Sequence, residues 1–121
     1  MPKEEKITTE IEFHDAFEAY EWKTEGVKPD GASEAIIYRD ENNGSHCRIL
    51  RLPPGFKGGK EPLEHDCDEI VFIVSGDMIN TRLGHRYSPG SVAVFPAGTK
   101  HGPLAAPDGA VTFEFRYYKK D

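Results

Sequence analysis

Cysteine is scarce in this chain of 121 residues: Cys47 and Cys67 are the only two. Two cysteines do not make a disulfide framework, and in a reducing compartment free thiols are expected. Long apolar runs are missing as well. None approaches the roughly 20 residues that a membrane-crossing helix needs, and the opening MPKEEKITTE lacks the apolar centre of a secretory signal. The expectation is a cytoplasmic protein with no membrane contact. Positive charge is in deficit, with 15 Lys and Arg against 21 Asp and Glu and a formal net charge of -6. A phosphate backbone is repelled on average by such a chain, so nucleic acid is not an expected partner.

What the chain has in quantity is turn formers, with 12 Gly and 9 Pro. Dense tight turns favour short strands over helix bundles, and the length suits one domain. Residues 1–10 read as a loose arm. IEFHDAFEAYEW, from Ile11 to Trp22, mixes alternation with partial helical spacing and fits either state; EGVKPDG reads as loop. From there the pattern is β. AIIYRD and SHCRILRL flank ENNG as a hairpin, with Asn43 and Gly44 at the turn where positive φ is required. EIVFIVS is the most apolar strand and is expected to be central. MINTRL and HRY flank Gly84 as a second hairpin, followed by SVAVFPAG, the loop TKHGPLAAPDG, and AVTFEFRYY. In the last segment Val111, Phe113, Phe115 and Tyr117 share one face, and Thr112, Glu114, Arg116 and Tyr118 share the other. The fold class expected is all-β, a sandwich or barrel.

Two motifs carry chemistry. In GSVAVFPAGTKH, Gly90, Pro96, Gly98 and His101 give the spacing G-x5-P-x-G-x2-H. In EHDCDEIVFIVSG, His65, Glu69 and Gly76 give H-x3-E-x6-G. The first resembles the second signature of the cupin family. The other matches the latter half of that family's first signature, G-x5-H-x-H-x3-E-x6-G. Leu63 stands where the family has its first His, Lys57 where it has its first Gly, and Ala105 where an Asn often closes the second signature. Together with the hairpin YRDENNGSHCRILRLPPG, the motifs look most like small single-domain cupins. These include ChrR-like metal-binding modules and dioxygenases that cleave diketones or aryl ketones.

The resemblance implies a double-stranded β-helix, a jelly-roll barrel, over residues 35–121. Residues 1–34 would form an N-terminal arm and irregular segment packing on the barrel or on a partner subunit. It further implies that His65, Glu69 and His101 hold a divalent metal. His65 would end one strand and Glu69 would open its hairpin neighbour, with His101 arriving from another hairpin. Two His and one carboxylate suit Fe2+ best, with Mn2+, Ni2+, Zn2+ or Cu2+ as alternatives. The activity implied is a metal-dependent reaction on a small organic molecule, either oxidoreductase (dioxygenase) or isomerase/lyase. A non-catalytic ligand- or metal-binding module is the alternative, and a homodimer paired through strand edges is the expected assembly.

Other residues read more plainly. Cys67 is expected at a hairpin tip between the turn formers Asp66 and Asp68, although a thiolate there could replace the missing imidazole. On the strand containing Cys47, the Leu50 and Leu52 face is the conventional core, which leaves Arg51 outside. His14, His46 and His85 have no partners at ligand spacing. Tyr38, Phe72, Phe95, Phe113 and Phe115 are expected to fill the barrel core, one or two of them lining a pocket. Trp22 is expected to pack the N-terminal segment onto the barrel or a partner.

Overall fold

A computed structural model describes residues 13–59 and 61–119. The expected arm, together with Ile11 and Glu12 of the ambiguous segment, lies outside the described residues. From Phe13 onward that segment holds one short helix, α1 (Ala16–Ala19), capped by the Asp15 carboxylate on the Phe17 N–H. Twelve strands follow among the described residues: β1 (Trp22–Lys23), β2 (Ser33–Arg39), β3 (His46–Leu52), β4 (Phe56–Lys57), β5 (Leu63–Glu64), β6 (Asp68–Gly76), β7 (Met78–Asn80), β8 (His85–Tyr87), β9 (Val92–Phe95), β10 (Lys100–His101), β11 (Leu104–Ala106) and β12 (Ala110–Tyr117). No helix among the described residues is long and apolar enough to cross a membrane.

The strands pair antiparallel in three sheets. One has six strands in the order β1-β2-β3-β12-β6-β9, one has four in the order β4-β11-β7-β8, and one pairs β10 with β5. Leu50, Leu52, Ile73 and Ala110 of the large sheet pack against Phe56, Met78 and Ala106 of the four-stranded one. The all-β expectation holds. Both hairpins form, and positive φ falls on Gly44 and Gly84, with no non-Gly residue sharing it among the described residues. Gly76 closes β6 for a steric reason as well as a torsional one. A Cβ there would lie 2.1 Å from the Gly109 carbonyl oxygen, so only glycine lets β6 and the start of β12 approach this closely.

Three expectations need correction. TKHGPLAAPDG is not one loop, since it contains β10 and β11. β6 is internal, but it lies next to the sheet edge and its Ile70, Phe72 and Val74 face is exposed. Tyr38, Phe72, Phe113 and Phe115 are likewise exposed and do not fill the core. Register explains the last point. Leu50 and Leu52 point inward from β3, and directly opposite residues of an antiparallel pair share a face. Thr112 and Ala110 stand opposite them, and Glu114 stands opposite Arg48. The polar face of β12 therefore follows the leucines inside, and the aromatic face is left outside.

β1 pairs with β2 and adds a sixth strand to the large sheet. Phe17 and Trp22 stack with ring centroids 5.4 Å apart, and the Arg51 guanidinium lies 4.7 Å above the Trp22 ring. Arg51 is exposed, as the leucine face required.

Candidate metal centre

His65 follows β5 directly, at the point where the chain leaves one sheet for another. β5 and β6 are not a hairpin pair, which corrects the expected arrangement: β5 pairs with β10, while β6 pairs with β12 and β9. Leu63 stands opposite His101 in the β5–β10 pair. The turn at 96–98 is fastened to the same crossing. The Gly98 N–H donates to the His65 carbonyl at 3.0 Å, and the Ala97 N–H donates to Asp68 Oδ1 at 2.9 Å. Gly98 has a φ of 82°, which any other residue adopts only with strain. The spacing P-x-G-x2-H thus encodes a turn that docks on residues 65–68, followed by two residues of β10 that bring His101 alongside His65.

The three residues meet. His65 Nε2 is 2.9 Å from His101 Nε2 and 3.1 Å from Glu69 Oε1, and His101 Nε2 is 3.8 Å from Glu69 Oε1. Ligand atoms bound at about 2.1 Å to a common cation at near right angles stand about 3 Å apart. Three atoms with lone pairs aimed at one another repel unless a proton or a cation lies among them, so the donor set fits a metal. Among the described residues this is the one group of His, Cys, Asp and Glu placed to hold a metal ion. Leu63 contributes no donor.

Arg116, to which the sequence reading assigns no role, and Phe95, expected in the core or lining a pocket, complete the surroundings. Arg116 Nε donates to Glu69 Oε2 at 2.8 Å, across the β12–β6 pair, which leaves Oε1 facing the imidazoles. Phe95 stacks on the His101 ring at 4.2 Å and covers one side of it. Alternation in β12 puts Arg116 on its polar face but does not say that this face is the inner one.

Cys67 is not at an exposed tip. It is buried, 1% exposed, and its sulfur lies 3.7 Å from His65 Nδ1, on the side of the ring away from the other donors. Burial raises the thiol above its usual range and outweighs its contact with the Tyr118 hydroxyl, so it stays a neutral thiol behind His65. Asp66 is exposed, and Asp68 is spent on Ala97 and Lys119. His46 bonds the Gly44 carbonyl oxygen, and His14 and His85 pack on tyrosines. A cleft of about 230 Å³ bordered by Arg51, Leu52, Ser75 and Asp108 lies toward the opposite end of β6 and touches none of the three donors.

Burial, with the His65 and Arg116 charges added, lowers the His101 pKa from 6.5 to about 4. The imidazole is therefore neutral at pH 7, the form that binds a metal. The unfolded chain takes up the proton first, so stability present at neutral pH is lost as pH falls from about 6.5 toward 4. We expect the chelator-treated protein to lose about 3 kcal/mol across that window. A His101→Gln variant should lack this component in urea unfolding series. Parallel pH profiles for the two proteins would show that His101 is not held neutral by the fold.

No family model matches the chain, and no curated protein matches it. Solved structures do. An RmlC-like cupin from Shewanella frigidimarina is 14% identical with a TM-score of 0.67, covering 93% of this chain and 95% of its own. An acetylacetone dioxygenase from Acinetobacter johnsonii is 16% identical with a TM-score of 0.68, over 95% of this chain and 81% of its own. A sugar phosphate isomerase of the cupin superfamily from Silicibacter pomeroyi is 21% identical with a TM-score of 0.63, over 85% of this chain and 74% of its own. These likenesses, at 14–21% identity, show the fold: the chain folds as the jelly-roll barrel of the cupins.

Proposed function

We propose that this protein is a metal-dependent enzyme acting on a small organic molecule, with His65, Glu69 and His101 holding a divalent cation inside the barrel. The observation that carries this reading is the convergence of two imidazole nitrogens and one carboxylate oxygen within 4.8 Å of one another. Two His and one carboxylate suit iron(II) best, with manganese, nickel, zinc or copper as alternatives. A bound cation supplies Lewis acidity toward a substrate oxygen, and iron with dioxygen supplies oxidation.

The chain's own residues prepare the site. Arg116 binds one oxygen of the buried Glu69 carboxylate and leaves the other aimed at the imidazoles. Phe95 shields His101 from water on one face. Leu63, 44% exposed and opposite His101, offers apolar surface to a substrate where a donor would otherwise stand. The solved neighbours named for acetylacetone dioxygenase and sugar phosphate isomerase activity support two versions. One is oxidative cleavage of a diketone or aryl ketone, and the other is isomerase or lyase chemistry.

Elemental analysis of protein purified without chelator should find close to one metal per chain. Iron(II)-loaded protein should then consume dioxygen when given a 2,4-diketone. Metal without dioxygen uptake would remove the dioxygenase version, and absence of metal uptake under any loading would remove the whole reading. Leu63, which leaves three donors, favours a second reading: a non-catalytic module that binds a metal or small ligand weakly and reversibly.

A further inference from the structure

We infer, resting on the three-donor centre proposed above, that Cys67 and Tyr118 are its positioning residues, joining His65 to Glu69 from behind so that His65 Nε2 and Glu69 Oε1 face one point. Five side chains close a ring. The Cys67 sulfur lies 3.7 Å from His65 Nδ1. The Tyr118 hydroxyl touches that sulfur and also the Arg116 guanidinium. Arg116 Nε donates to Glu69 Oε2 at 2.8 Å, and Glu69 Oε1 returns to within 3.1 Å of His65 Nε2. Strand register builds this ring. Arg116 stands opposite Glu69 and Tyr117 opposite Asp68, so one step further along the two chains Tyr118 comes beside Cys67. Tyr118 is itself fixed, since its N–H donates to Ser45 Oγ at 2.8 Å and its ring stacks on His46.

The chemistry of a neutral imidazole gives the ring its purpose. Such an imidazole has one N–H and one lone pair, so Nε2 can bind a cation only when the proton sits on Nδ1. That N–H needs an acceptor, and the buried Cys67, a neutral thiol, presents its sulfur there. The S–H is left for the Tyr118 oxygen, which also accepts from Arg116. A partner of this kind behind a metal-binding imidazole fixes both the tautomer and the direction of the ring. His101 is held differently. Its Nδ1 is buried with no hydrogen-bond partner among the described residues, and its ring is held by stacking on Phe95. Stacking fixes the plane of a ring and not which nitrogen carries the proton. Directional control therefore enters this centre through Cys67.

The test is titration calorimetry of the full chain with manganese and zinc, with urea unfolding of the metal-free protein as the check on folding. Cys67→Ala should bind either ion about 10–100-fold more weakly than wild type. Cys67→Ser differs from it only by a hydroxyl that can accept the Nδ1 proton, and it should recover most of the loss. A sulfur that merely fills space predicts the same affinity in both. Tyr118→Phe should weaken binding about tenfold, and by less when added to Cys67→Ala, because the two side chains act through one ring. Tyr118 is only half-buried, so this variant serves if those at Cys67 fold poorly. Wild-type affinity in Cys67→Ala or in Tyr118→Phe would overturn the inference and leave the three donors standing, as would equal losses in Cys67→Ala and Cys67→Ser. A wild-type chain that takes up neither ion would overturn the donor set and the inference together.

Discussion

Replacing Arg48 with alanine is expected to destabilise the fold by about 3–5 kcal/mol, the usual cost of removing one partner from a buried ion pair. Arg48 is 4% exposed, with Nε and Nη2 on Glu114 Oε1 at 2.8 and 2.7 Å and Nη1 on Glu34 Oε1 at 2.7 Å. Thr112 donates to the other Glu114 oxygen at 2.8 Å. Burial raises the Glu114 pKa and the Arg48 guanidinium opposes that rise, with Glu69 adding a second negative charge nearby. Without Arg48, Glu114 must take up a proton or remain as an unpaired charge inside the barrel. For a domain with a total stability of about 5–15 kcal/mol the loss is severe. Removing both partners should cost much less. Arg48→Met with Glu114→Leu replaces the pair by apolar side chains of similar size, a change that is often near neutral. Urea unfolding of the two singles and the double closes the cycle. A loss below 1 kcal/mol in Arg48→Ala would mean that the buried pair does not form.

This ion pair marks the limit of what the sequence could say about the barrel. Alternation in AVTFEFRYY separates two faces without stating which is inner, because a period of two is the same seen from either side. Hydrophobicity alone puts Phe113 and Phe115 inside, and the structure puts Glu114 and Arg116 there. The deciding information is register. Leu50 and Leu52 must be buried, Thr112 and Ala110 face them, and the polar set follows. Turn chemistry was legible wherever glycine at positive φ closed a hairpin, as at Gly44 and Gly84. The site was legible for a different reason. Gly98 fixes a turn and His101 follows at a set distance, so local spacing carries the geometry on that side. On the other side, the strand change between Glu64 and Asp68 leaves no mark in the residue pattern. The residue pattern there is that of a hairpin with Cys67 at its tip, whereas Cys67 lies buried behind His65.

Substituting glutamine for Glu69 should lower affinity for a divalent cation at least a hundredfold, about 3 kcal/mol. Two effects act in the same direction. The change removes the anionic member of the three donors, leaving a neutral amide oxygen as the weaker ligand. It also frees the Arg116 charge, which Glu69 Oε2 balances at 2.8 Å, so that a cation entering the site meets an uncompensated guanidinium. Titration calorimetry with manganese or zinc measures the loss directly, and the stabilisation that metal gives wild type in thermal unfolding should shrink with it. Glu64→Gln is the control. Glu64 is exposed on β5, one residue before His65, and its substitution changes net charge by the same amount. Solvent and salt screen an exposed charge of this kind, so that variant should bind metal as wild type does. Equal losses in the two variants would reduce the effect to overall charge. Wild-type affinity in Glu69→Gln would remove the carboxylate from the site and leave two imidazoles 2.9 Å apart with only a shared proton between them.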